Sequence, residues 1–396
     1  MIGKCSDDMK TNTMNADQVK DRLVLHFPGY EPVASEHHYQ RFVRECTKFQ
    51  NLWGVKQEVG PLEDIGGVYC WQTKTQGKDW AVSTRLVLME WTSFLEQAEP
   101  VGFWSRIFRS LPRYFAHYLS SAPWRYFAAN WRYGLFFLYP VIVTMIIALM
   151  SSGAVWVISL WVGGLSPIVY GLAALVIFLL AFRILAPHWK VPLELDLLHH
   201  THSVALQEND ISRSRIALFS SILKREIKAD QGEEITITTH SFGSVYAVAA
   251  IATALRKNPD LLSGRKMSIT AIGSNLLQVG LMKQCKWLRD DLKQVLGHDK
   301  IQWIEIYAAD DPICFYKTGP DKVMREPPAH KLISKRVRFS RMIDEKRYKR
   351  MTGSFFRLHR QLIMANDRPY FYDFFLLIFG PREVVSLLQR ESATEV

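Results

Sequence analysis

The sequence predicts an α/β fold, a mostly parallel sheet flanked by helices and interrupted by an inserted helical membrane hairpin. Three observations predict it. Residues 234–255 read as a short β-branched strand, a sharp turn at Ser241 and a helix of small residues. Two more strand patterns follow, MSITAI at 267–272 and IQWIEIY at 301–307, with a helical stretch at 281–296 between them. Strands alternating with helices build parallel sheets. Third, no Lys, Arg, Asp or Glu occurs from Gly134 to Phe182. A neutral apolar run of that length exceeds one bilayer span and suffices for two.

Length and charge narrow the class. The 396 residues suit one large domain or two modest ones. A net charge of +11 raises nucleic acid as a partner. However, the chain has no zinc-ligand spacing, no aromatic RNA-binding strand and no basic recognition helix. Much of the excess charge flanks the apolar run or lies near the C-terminus, so anionic lipid is the expected partner. Five cysteines (Cys5, Cys46, Cys70, Cys285, Cys314) are scattered without a C-x-x-C, which points to reduced thiols in a cytosolic compartment.

In chain order, residues 1–20 read as a polar, flexible leader without a signal-peptide pattern. Residues 22–27 (RLVLHF) form a strand that runs into P-G-Y-E-P. A helix follows over 35–53 and ends at Gly54. Residues 68–91 read as a hairpin turning at K-T-Q-G-K-D. From 102 to 133 aromatic residues alternate with Arg106, Arg109, Arg113, Arg125 and Arg132, a composition suited to a helix lying among lipid headgroups. Two spans fit next, near 133–152 and 168–185. The loop between them carries no cation while Arg and Lys crowd the outer flanks, which orients both flanks to the cytoplasm. His199 and His202 share a helix face, but no carboxylate or cysteine has metal-ligand spacing to them. A helix over 211–227 leads into the Ser241 strand.

A serine on a strand-to-helix turn has its hydroxyl lifted above the sheet edge, at a helix N-terminus whose N–H groups can hold an oxyanion. The segment T-H-S-F-G-S at 239–244 resembles the nucleophile elbow of the α/β-hydrolase superfamily, close to the G-H-S-F-G form of lipases and thioesterases. Thr239 stands where the first glycine belongs. The resemblance implies an acid two strands after the elbow and a histidine after the last strand, in the order Ser, acid, His. Asp310 or Asp311 occupies the acid position, and Asp311, followed by Pro312 and Ile313, is preferred. After the last strand, expected at 335–343, His359 is selected by position over His298 and His330. His240 is expected to point away and be structural. The resemblance also implies an oxyanion hole formed by the N–H of Phe242 with that of Gly29 or Tyr30.

The expected domains are a leader at 1–20, a first hydrolase segment at 21–99, a membrane insertion at 100–190 and a second hydrolase segment at 191–396. The expected function is cleavage or transfer of an acyl group, from a lipid ester or thioester, through an acyl-serine at Ser241 with His359 and Asp311. No cofactor and no metal are expected. The expected partners are the bilayer, with its anionic headgroups, and a hydrophobic acyl substrate. The protein is expected in the inner or plasma membrane, with both termini and the hydrolase domain cytoplasmic. A hydrolase-fold scaffold without turnover is the competing expectation. A channel or transporter is disfavoured, because the spans carry no ionisable residue to line a polar path.

Overall fold

The computed structural model describes residues 18–92, 102–164, 166–208, 210–323 and 327–389. The leader expected at 1–20 falls outside these except for its last three residues. Those three are anchored: Gln18 bridges to Arg382, Val19 N–H donates to Pro381 O at 2.7 Å, and Lys20 N–H donates to the Glu233 carboxylate.

The elements run β1 (Asp21–Phe27), α1 (Ser35–Trp53), β2 (Lys56–Val59), β3 (Glu63–Asp64), β4 (Tyr69–Gln76) and β5 (Ala81–Leu88). Helices α2 (Phe103–Leu119), α3 (Ala122–Ala129), α4 (Trp131–Phe137), α5 (Tyr139–Ser159), α6 (Pro167–His188), α7 (Val191–Ala205) and α8 (Asp210–Ala229) follow. Then come β6 (Glu234–His240), α9 (Gly243–Lys257), β7 (Met267–Ile272), α10 (Leu276–Gly280), α11 (Lys286–Leu296), β8 (Ile301–Ala308) and β9 (Ile333–Val337). The chain closes with α12 (Phe339–Met342), α13 (Glu345–Met351), α14 (Phe355–Gln361), α15 (Phe374–Phe379) and α16 (Val384–Gln389).

Two compact units emerge. The first comprises Met1–Ala98, Asn209–Leu281 and Cys285–Val396, and the second Glu99–Glu208 with Met282–Gln284. The second unit therefore extends past residue 190, where the sequence placed the end of the insertion. Helix α7 belongs with α2: Arg106 on α2 pairs with Asp196 on α7, and Arg113 reaches His199, Ser203 and Glu208.

In the first unit the sheet order is β2-β4-β5-β1-β6-β7-β8-β9, with β3 paired to β4. The run β5-β1-β6-β7-β8-β9 is parallel, and β4 is antiparallel to β2, β3 and β5. Every residue of β6 is buried, as a central parallel strand covered on both faces requires. Ile235 and Ile237 supply apolar bulk. The threonines pair across strands, with Ser268 Oγ donating to Thr236 Oγ1 at 2.9 Å. Segment 370–379 is core: Asp373 caps α15 by accepting from the Phe375 and Leu376 N–H groups, and Phe375 stacks on Phe42 of α1. Phe42 also meets Trp71 of β4, their ring centroids 4.9 Å apart, so buried aromatic pairs hold α1 against both α15 and the sheet.

Several boundaries differ from the sequence reading. The expected strand at 335–343 is β9, Ile333–Val337, followed by the single turn α12, and the helix expected at 281–296 begins only at Lys286 as α11, with the short α10 preceding it at 276–280. In the second unit the long aromatic helix is three helices. Asn130 causes one break: its side chain accepts from Arg132 and Tyr133 N–H and so starts α4 afresh. A second break at Leu138, with Pro140 in the first turn of the next helix, starts the first apolar helix at Tyr139 rather than Tyr133, and the stretch at 154–159 continues it instead of forming the connection.

Helices α5 and α6, with 21 and 22 residues, are long and apolar enough to cross a membrane. Both carry large apolar side chains outward, among them Leu149, Trp156, Ile168 and Leu180. Helix α2 divides its faces: Ile107, Ser110, Tyr114 and His117 are buried at helical spacing, while Phe108, Phe115 and Leu119 are exposed.

Candidate active site

Strand β6 sits between β1 and β7, and its last residue, His240, pairs with Ile272 at the end of β7. The chain must then reverse into α9 within two residues. It does so through Ser241 at φ 53°, the left-handed region that costs an L-residue about 1–2 kcal/mol. The surroundings hold this conformation. Ser241 N–H donates to Ile272 O at 3.0 Å, and Ser241 O accepts from Asn275 N–H at 3.1 Å and from Ser244 Oγ at 2.8 Å. Gly243 is required by close approach, since a Cβ there would stand 2.3 Å from Phe27 O and 2.4 Å from Pro28 O.

The turn after β1 abuts this bend. A Cβ on Gly29 would lie 2.7 Å from His240 Nδ1 and 3.1 Å from Ser241 Cβ. Trp91 fixes the turn by donating from Nε1 to Pro28 O at 2.9 Å, and its ring packs on Tyr30, Phe242 and Tyr246. Gly29 and Phe242, two of the residues considered for an oxyanion hole, thus flank Ser241.

Asp311 follows β8 and His359 lies on α14 after β9. The two are hydrogen-bonded, His359 Nδ1 to Asp311 Oδ2 at 2.6 Å. Asp311 is wholly buried, and its other oxygen accepts from Ile313 N–H at 3.0 Å, the Asx-type turn that D-P-I sets up. Asp310 points elsewhere, accepting from the Tyr348 hydroxyl. His359 rests against Gly273, where a Cβ would come within 2.9 Å of its Cε1. Gly273 follows Ile272, which holds Ser241, so the imidazole and the serine share the end of β7 as a neighbour. With Nδ1–H given to the carboxylate, Nε2 carries the basic lone pair. That atom is buried and has no hydrogen-bond partner. Ser241 Oγ accepts instead from Asn275 Nδ2 at 3.3 Å.

His240 corrects the expectation that it points away. Its ring lies 4.6 Å from that of His359, and its Nε2 meets His359 O at 3.2 Å. Burial holds its pKa well below the usual histidine value, with the nearby His359 adding to the effect. It is a neutral ring that donates to the backbone carbonyl of His359. His26, on the same face, is lowered to about 3 by burial and by its neighbours His38 and Arg41.

Glu31 ties the two sides of the site together. Its Oε1 accepts from Arg41 of α1 at 2.6 Å and from Arg360, next to the histidine, at 2.9 Å. The paired guanidinium of Arg41 helps hold the Glu31 carboxyl down at about 2 despite its burial. Neither Glu31 nor Asn275 was read as functional from the sequence. Their only signal was position, since each closely follows the C-terminal end of a parallel strand, where open α/β sheets build their sites. His199 of the second unit meets the Arg113 guanidinium.

Comparison of the chain with protein-family models, with curated proteins and with solved structures gave no match in any of the three.

Proposed function

We propose that the protein is a membrane-anchored serine hydrolase of α/β-hydrolase type, cleaving or transferring an acyl group held as an ester or thioester. One observation carries this: the Asp311–His359 pair and the left-handed Ser241 bend all lie at the C-terminal edge of the same parallel strands. In the proposed reaction Ser241 Oγ attacks the acyl carbon as His359 Nε2 takes its proton. Asp311 holds the imidazole in the correct tautomer and stabilises its charge. The Phe242 N–H, with that of Gly29 or Tyr30, serves the oxyanion. His359 returns the proton to the leaving group, and a second nucleophile, water or an acceptor alcohol, repeats the sequence to release the acyl group.

The chain joins this site to two apolar helices and to a basic, aromatic stretch. A lipid-like acyl substrate and anionic headgroups follow from that covalent arrangement, with the hydrolase unit and both termini cytoplasmic. A second reading, a hydrolase-fold scaffold without turnover, is favoured by one observation: His359 Nε2 has no hydrogen-bond partner, so Ser241 Oγ is not bonded to it. Labelling of membranes with a fluorophosphonate separates the two. The hydrolase reading expects wild type to react and Ser241→Ala and His359→Ala not to. Folded wild-type protein that stays unlabelled leaves the scaffold.

A further inference from the structure

Asn275 is 1% exposed, and its amide does not cap α10, the helix that begins one residue later. Its Nδ2 donates to Ser241 Oγ at 3.3 Å, while its Oδ1 is buried without a hydrogen-bond partner. A buried amide with one end unsatisfied costs about 1–3 kcal/mol, so stability is a poor reason to keep it there. Its backbone is already fastened to the bend, the N–H donating to Ser241 O at 3.1 Å. The adjacent Ser274 is held too, its Oγ donating to Ser244 Oγ at 3.0 Å and accepting from Leu276 N–H. The amide is therefore held rigidly and aimed at the serine hydroxyl.

We infer that Asn275 is a further catalytic residue, a donor to Ser241 Oγ. It occupies one lone pair of that oxygen and leaves the hydroxyl proton for His359 Nε2. As the proton moves to His359 and the Oγ–acyl bond forms, the carbonyl π pair moves onto the carbonyl oxygen, and it returns to re-form the carbonyl as the leaving group departs with its bonding pair and the His359 proton. In release, His359 takes a proton from water as the water oxygen adds to the acyl carbon, the Oγ–acyl bond then breaks with its electron pair going to Oγ, and His359 returns that proton to Oγ. In both half-reactions Oγ carries transient negative charge, and the Nδ2–H bond strengthens as it does so. The inference rests on the hydrolase reading and adds a residue to it.

The test uses the full-length protein in its membrane and an alkyl fluorophosphonate, with the second-order labelling rate measured per folded molecule. Wild type, Asn275→Ala and the near-isosteric Asn275→Leu are compared, with Ser241→Ala as the blank. Thermal unfolding is followed in parallel. The expected result is labelling about 100-fold slower in both variants, with melting temperatures equal to or above wild type, because the unsatisfied Oδ1 is gone. The pH midpoint of labelling stays where it is, since the His359–Asp311 pair is untouched. Labelling at or above the wild-type rate overturns the inference, as does a loss that vanishes on correction for the folded fraction. Wild type that fails to label removes the hydrolase reading itself, and that outcome is visible before any Asn275 variant is compared.

Discussion

His359 Nδ1 and Asp311 Oδ2 stand 2.6 Å apart, although the two residues are 48 positions apart in the chain and lie on opposite sides of strand β9. The carboxylate is fully buried and spends its second oxygen on the Ile313 N–H. Its neighbour Asp310 makes an exposed contact with Tyr348.

This difference separates two residues that the sequence left as alternatives. Under the proposed chemistry, Asp311→Asn keeps the shape but loses the tautomer control, so the fluorophosphonate labelling rate falls by about 10³–10⁴-fold. Asp310→Asn removes only a surface hydrogen bond and leaves the rate close to wild type. Equal losses in the two variants, or a larger loss at Asp310, would remove Asp311 from the proposed role.

The bend at Ser241 predicts a stability effect that needs no substrate. At φ 53° a side chain costs about 1–2 kcal/mol, and glycine escapes that penalty while giving back about 0.4–1 kcal/mol of unfolded-chain entropy. Ser241→Gly is therefore expected to exceed Ser241→Ala in stability by about 0.5–1 kcal/mol. Both lack the hydroxyl and neither labels. Urea unfolding of the two variants reads the difference, and Ser241→Ala emerging as the more stable would mean that the strain is absent.

The parts of this site legible in the sequence are those with local causes. Strand β6 and its turn were legible because β-branched residues give way abruptly to Ser-Phe-Gly-Ser. Gly54 announced the end of α1 and adopts the left-handed conformation at φ 64°. His240 was misread although the information was present. Two-residue alternation puts it on the face of Thr238, and Thr238 bonds His26 across the β1–β6 register. Asn275 was out of reach, because its contact with Ser241 exists only once β6 and β7 pair in the observed register. Strands β2 and β3 are four and two residues long and largely polar, too short for alternation to show. The start of the first apolar helix depends on a break at Leu138 just before Pro140, inside a run that hydropathy reads as continuous.

Two buried groups predict opposite slopes of stability with pH. His26 ionises near 6.5 in the unfolded chain but only at about 3 when folded, chiefly because it is buried. Between those values the unfolded chain binds a proton that the folded chain refuses, so this group's contribution is present above pH 6.5 and drains away as pH falls toward 3. Glu305 is the reverse. Burial lifts it from 4.5 to about 8, so its contribution is present below pH 4.5 and is lost as pH rises through 8. Each slope approaches about 1.4 kcal/mol per pH unit inside its window. Glu305→Gln keeps an oxygen for the Trp303 Nε1 donor and removes the alkaline slope. In urea unfolding it is expected to gain on wild type at pH 8 relative to pH 5. A loss of stability from pH 5 to pH 8 that is as large in Glu305→Gln as in wild type would mean that the slope comes from elsewhere.

The proposed orientation makes the connection between α5 and α6 the one part of the hairpin on the far side of the membrane. Residues 160–164 there are exposed, with Trp161 86% accessible, and contain no cation. A cysteine at Gly163 tests the orientation with little background, because Cys46, Cys70, Cys285 and Cys314 are all buried free thiols. Cys5 lies outside the described residues and is replaced by serine. On intact cells a membrane-impermeant maleimide is expected to label Gly163→Cys and to miss Lys78→Cys, which sits in the exposed β4–β5 turn, until the cells are permeabilised. Leu175→Arg, at the middle of α6, should weaken insertion by about 2.5–3.5 kcal/mol and raise the fraction removed by alkaline carbonate. Labelling of Lys78→Cys on intact cells with Gly163→Cys silent would invert the topology. Complete release of the wild type by carbonate would show that α5 and α6 do not cross a bilayer.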